Sequence, residues 1–177
     1  MNAKTILPLF SLIAPLLGGS ATCSADSFDS VQCGSDVRQA LLGRKMANER
    51  VMVIEERHKD LGLKDLGSSE ISDRLTITSW QICGDEYVVL EERDVVRDVL
   101  KFPRHSKESP EFVGSCQLDG KNVPGEAIGV LRNEAGAKTL PVTIAWKIDT
   151  KHKKFVKLDL EGLRSERSNI ITADGGL

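Results

Sequence analysis

The sequence predicts an α+β domain: a mostly antiparallel, strongly curved sheet or sandwich of about seven or eight short strands, with one or two short helices. Three observations predict it. Apolar residues alternate with polar ones along most of the chain from Arg74 to Leu160. Turn-forming pairs such as Gly84-Asp85 and Asp119-Gly120 punctuate that alternation. One short helical pattern with its own cap precedes it.

Residues 1–25 read as a cleavable secretory leader. Lys4 marks a short charged start, an apolar run extends from Ile6 to Leu17, and small polar residues follow from Gly18 to Ala25. The run of about a dozen residues is too short for the roughly 20 that a membrane-spanning helix requires. Cleavage fits after Ala21 or after Ala25. A weaker reading makes Cys23 a lipid-anchored N-terminus, because Ser20 and Thr22 occupy places where a lipoprotein signal carries a large apolar and a small residue. The expected location is therefore periplasmic or secreted, with no transmembrane segment in the mature protein.

Residues 26–34 are polar and expected to be flexible. Asp36 stands where a helix N-cap belongs, with Gln39 three residues on. Val37, Ala40 and Leu41 form an apolar stripe, and Gly43 supplies a stop. Residues 50–56 include Val51-Met52-Val53-Ile54, rich in β-formers, and are expected to form a strand, although Val51, Ile54, His58 and Leu61 also fit a helical period. The echo Lys59-Asp60-Leu61-Gly62, Lys64-Asp65-Leu66-Gly67 reads as two successive turns.

From Arg74 the period is two. A strand places Leu75 and Ile77 on one face and Trp80 and Ile82 on the other, with core as the expected home of Trp80. Tyr87–Leu90 returns, and Val95–Phe102 completes a three-strand meander. The loop Pro103–Pro110 interrupts. Phe112, Gly114, Cys116 and Leu118 alternate up to a hairpin at Asp119-Gly120. The returning strand, 123–132, carries Pro124, the mark of an edge. Leu140, Val142, Ile144, Trp146 and Ile148 then occupy every second position, which puts them on one core face. Residues 150–153 turn into a last strand ending at Leu160. The organisation expected is one domain over 35–162 with a loose polar tail over 163–177.

Without the leader, 23 basic and 26 acidic residues remain, a formal net charge of −3. Both signs are interspersed, so the basic stripe of a nucleic-acid binder is absent. Aromatics are scarce at 5%, which argues against a stacking platform for bases or sugars. Disulfides are the default for cysteines in an exported chain. Cys83–Cys116 is the favoured pair, since both fall in apolar, strand-like stretches, and closing that loop would contribute roughly 3–4 kcal/mol in the chain-entropy model. No cysteine or histidine spacing suggests a zinc site, and no cofactor is expected.

Chemistry concentrates in a few places. The loop 103–110 offers Arg104, His105, Ser106, Lys107, Glu108 and Ser109. A hydrolase could use His105 as base, Ser106 or Ser109 as nucleophile, and a carboxylate such as Asp98 to orient the imidazole. No G-x-S-x-G elbow accompanies them. The same loop fits recognition better, because long loops on rigid scaffolds often bind. The cluster Glu55, Glu56, His58 and Asp60 reads as surface charge. Asp85, Glu86, Glu91, Glu92 and Asp94 read as solubilised turns. Lys151, His152 and Lys153 form a basic hairpin tip that could meet an anionic partner. The function expected is a non-catalytic domain that binds an envelope or extracellular macromolecule, with Arg104, His105, Lys107, Lys151, His152 and Lys153 as contacts. The alternative is the small hydrolase centred on His105.

Overall fold

Leu75 and Ile77 point to one side of their strand and Trp80 and Ile82 to the other, and both sides are covered. That single strand explains the layering. The computed structural model describes residues 26–46 and 48–171. The expected leader and its cleavage sites lie outside them, as do residues 172–177.

A four-stranded antiparallel meander is built from β1 (Lys64–Ser72), β2 (Leu75–Ile82), β3 (Asp85–Glu92) and β4 (Val95–Lys101), in that order. Its turns are two-residue reversals. Cys83-Gly84 and Arg93-Asp94 all have positive φ, the conformation whose twist suits a tight hairpin. β5 (Glu111–Leu118), β6 (Lys121–Leu131), β7 (Thr139–Asp149), β8 (Lys154–Lys157) and β9 (Leu163–Glu166) form the second sheet. Here β6 pairs with both β5 and β7, and β9 pairs with both β5 and β7 as well. These four strands therefore close into a small ring, and β8 extends it from the far half of β7. The fold is α+β and sheet-rich, as its sequence predicts.

Three apolar clusters follow from this order. The N-terminal segment covers one face of the first sheet, where Phe28, Leu41, Ile54 and Leu61 meet Trp80, Ile82, Val89 and Val99. Leu75, Ile77, Val88 and Leu90 on the opposite face meet Ile128, Val130 and Ile148 of the second sheet. Phe112, Cys116, Leu131, Leu140 and Leu163 fill the ring. The first sheet is thus a middle layer.

The N-terminal elements depart most from the sequence expectations. Residues 26–34 are held rather than loose. Asp26 caps a 3-10 turn, Ser27–Ser30, by accepting from the Phe28 N–H, and Phe28 is fully buried beside Trp80. Helix α1 (Val37–Leu41) has the expected cap, Asp36 accepting from the Gln39 N–H. The strand expected at 50–56 is instead helix α2 (Val51–Arg57). Ile54, His58 and Leu61 are buried at helical spacing, so the chance to dock one stripe outweighs the β-propensity of the valines. Of the two successive turns expected at 59–62 and 64–67, the first is a 3-10 turn, Lys59–Leu61, but the second is strand, because Lys64 begins β1.

The disulfide joins Cys33 to Cys83, not Cys83 to Cys116. Cys83 sits at the β2–β3 turn, against which the N-terminal segment passes, whereas Cys116 is a free thiol inside the ring. The cross-link closes over a separation of 50 residues, worth about 4 kcal/mol in the chain-entropy model. Leu163–Glu166, expected as tail, is the strand that closes the ring, and Ile170 bridges to Phe112.

One long alternation conceals a bulge. Leu140 and Val142 face the ring interior, but Ile144, Trp146 and Ile148 face the first sheet. The register slips between Val130 and Leu131, opposite Thr143, whose hydroxyl donates to the Val130 carbonyl at 2.8 Å. The extra residue lets one strand serve two cores.

Candidate functional site

The loop expected to carry function, 103–110, is the crossover that takes the chain from β4 in one sheet to β5 in the other. It is tied at both ends. The Phe102 N–H donates to the Glu86 carbonyl at 2.8 Å, and the Leu131 N–H donates to the Pro110 carbonyl at 2.9 Å. Ser106 and Ser109 exchange backbone hydrogen bonds, while the Asn133 amide holds the Lys107 carbonyl at 3.0 Å. The loop is a shaped element on the seam between the sheets.

Where the sheets part, a groove of about 930 Å³ opens beneath this loop. The segment from Lys64 to Ser69 in β1 lines it, together with Val113, Ile170 and Ile171 and with His105, Ser106 and Lys107 of the loop. Among the described residues β1 pairs on one side only, with β2. Between register shifts at Asp65/Gly67 and Glu70/Ser72, its regular part reads Gly67-Ser68-Ser69-Glu70.

At one end of the groove, three donor side chains converge. Glu86, the second residue of β3, places Oε2 2.8 Å from His105 Nε2. Glu111, the first residue of β5, places its own Oε2 3.9 Å from the same nitrogen. One donor atom from each of the three residues lies within 4.8 Å of the others, the one such trio of His, Cys, Asp or Glu among the described residues. Their side chains are graded in exposure: 34% for His105, 15% for Glu86 and 8% for Glu111. The His105 ring packs edge-on against Phe102, with centroids 5.9 Å apart. Burial, with repulsion from Glu86 and against the opposing pull of His105, pushes the Glu111 carboxyl up to about 7. Its Oε1 is buried without a hydrogen-bond partner among the described residues.

The other expected site residues are placed differently. Asp98 is buried in β4, where it accepts from Arg38 at 3.0 Å and from the Phe155 N–H at 2.9 Å. It ties α1 and β8 to the first sheet and bonds no atom of the crossover loop. The Ser106 hydroxyl donates to Glu108 at 2.9 Å and accepts from the Ser109 N–H. His105 is thus bonded to a carboxylate but to neither serine, and the nucleophile–base–acid chain of a hydrolase is not assembled among them. Arg104 is exposed beside the groove. At the second expected surface, Lys153 is spent on Glu92 at 2.6 Å, and His152 Nδ1 lies 2.7 Å from Asp149. Lys151, which is exposed, has no such ion pair among the described residues. The two candidate loops meet opposite ends of β3, at Glu86 and Glu92, about 20 Å apart along a strand. They do not form one surface.

The cluster Glu55, Glu56, His58 and Asp60 is dispersed by α2. His58 turns inward to Asp26 at 3.1 Å, Glu55 accepts from the Asp65 N–H, and Glu56 pairs with Lys59. The sequence signal for the trio at the groove was weak. Glu86 reads as one of several turn carboxylates, and Glu111 as the residue after a proline. Only the pairing of β3 and β5 with the two ends of the crossover brings them to His105.

No protein-family model matches the chain, and neither a curated protein nor a solved structure matches it. Among the described residues no helix is long and apolar enough to cross a membrane.

Proposed function

We propose that this is an exported, non-catalytic binding protein of the cell envelope, and that its groove takes an extended segment of a partner macromolecule alongside β1. The observation that carries this reading is that β1, an edge strand among the described residues, lines a groove together with the apolar side chains of Val113, Ile170 and Ile171. An edge strand offers unpaired backbone groups, and a bound segment that pairs with them gains main-chain hydrogen bonds while the groove's apolar lining selects its side chains. Gly67, Ser68 and Ser69 suit that use, because small side chains leave the backbone approachable. The register shifts at either end of this stretch limit open-ended pairing with other copies. The disulfide fits an oxidising compartment.

The test is a titration of the labelled protein with extended peptides drawn from its own envelope fraction, read by backbone amide shifts. Changes concentrated at Gly67–Glu70 and His105–Lys107, lost when 103–110 becomes a Gly/Ser loop, support the reading. A footprint confined to 150–154, or no saturable shift, overturns it. The hydrolase alternative can keep Glu86 as the carboxylate that orients His105, but it needs Ser106, freed from Glu108, or Ser109 to reach the other ring nitrogen. Turnover of an ester substrate abolished by Ser106→Ala or by Ser109→Ala would establish it.

A further inference from the structure

We propose that Glu86, His105 and Glu111 form a binding site for a single divalent transition-metal ion, zinc or manganese in class, at the end of the groove. Two observations carry it, independent of what occupies the rest of the groove. The first is geometric. Imidazole nitrogen and carboxylate oxygens bind such an ion at about 2.0–2.2 Å, which sets neighbouring donors roughly 3.4 Å apart. The separations here, 2.8 Å from His105 to Glu86 and 3.9 Å from His105 to Glu111, bracket that spacing. Small side-chain rotations suffice to seat the ion, and two of the donors sit on strands, which fixes their approach.

The second observation is the orphaned oxygen. Glu111 is buried, and among the described residues Oε1 meets no donor. A buried polar atom without a partner is costly, and a carboxylate more so. Protonation lowers that cost without removing it, because a carboxyl protonated at Oε2 still leaves Oε1 an acceptor with no donor. A cation answers it directly. It supplies the positive charge that two carboxylates and one imidazole lack, and it replaces the missing hydrogen bond with a coordinate bond. With three protein donors, the remaining coordination is left to water or to a group brought by a ligand. The donor set is one nitrogen with oxygens and no thiolate, which favours zinc or manganese over softer ions.

The experiment uses untagged, oxidised protein stripped with chelator. Zinc and manganese are titrated separately by calorimetry, with cobalt as a spectroscopic stand-in. One ion per chain is expected, with visible cobalt bands that zinc displaces. His105→Ala and Glu86→Gln should each weaken binding by at least about tenfold. His152→Ala, which removes the other exposed imidazole–carboxylate pair, should leave it unchanged. Glu111→Gln separates this site from a structural ion pair: without metal it should melt at or above the wild-type temperature, yet it should lose the metal-induced rise in Tm. If Glu111→Gln fails to fold, His105→Ala in the exposed loop decides alone. The absence of saturable uptake in the micromolar range, or uptake unaffected by His105→Ala, overturns the site. Peptide titrations repeated in chelator keep the groove's binding role a separate question.

Discussion

Of the described glycines, Gly129 leaves the least room for a side chain. A Cβ built there would lie 2.1 Å from the Ile144 carbonyl oxygen and 2.8 Å from the Ala145 Cα, both backbone atoms that cannot turn aside. Gly129→Ala should therefore cost at or above the top of the roughly 1–3 kcal/mol range for overpacking. A denaturant midpoint equal to that of wild type would show that β6 and β7 can separate at no cost. Asp26 gives a different kind of residue-scale expectation. Burial alone would raise its carboxyl, but the Phe28 N–H and His58, helped by Ser27, outweigh it and hold it below the ordinary 3.8. Arg57 at 2.8 Å and Asp29 through its contact with His58 complete the surroundings. A carboxyl depressed in the folded state stabilises above its unfolded value, and loses that contribution as pH falls through the folded one. The near-UV signal of Trp80, whose ring packs against Phe28 at 5.1 Å, should fade below about pH 4. Asp26→Asn should have a lower baseline stability and no such acid step.

Among the elements, the N-terminal cover is the one fastened covalently. Cys33→Ser should release residues 26–46 to faster amide exchange while the two sheets keep their protection, because the second and third clusters involve no residue of that segment. Uniform acceleration across all strands would mean that the cover and the sheets unfold as one. Alkylation should label Cys116 only after unfolding, since it is buried and its thiol is pushed up to about 11, chiefly by burial. Several elements were legible beforehand for local reasons. Asp36 with Gln39 announced α1, and Asp119-Gly120 announced its hairpin, each through chemistry contained in a few residues. What escaped was decided at a distance. Val51-Met52-Val53 has strand propensity, yet Ile54, His58 and Leu61 found a buried face only as a helix. Leu140 to Ile148 alternates without a break, and nothing local reveals that Thr143 is bulged. The same distance hides the candidate site. His105 stands out in its loop, but Glu86 and Glu111 join it only through the pairing of two separate sheets.

For the whole molecule, the closing strand β9 is decisive. A chain ended after Gly162 should lose the Leu163 and Ser165 contacts and expose the edges of β5 and β7. It should aggregate or unfold over a broad transition in calorimetry. A sharp, monomeric transition for the shorter chain would show that β9 is ornamental.

The position of that strand bears on the order in which the molecule can be made. A polypeptide delivered N-terminus first presents the meander complete while β9 is still inside the ribosome or an export channel. The first sheet can form, and Cys33 can find Cys83, on a chain whose second half has no closed state to adopt. β9, arriving after both its partners, then completes the ring in one step, with β5 and β7 already in place to receive it. Vectorial emergence thus separates the two halves in time, so that the exposed edges of the second sheet persist only until β9 appears.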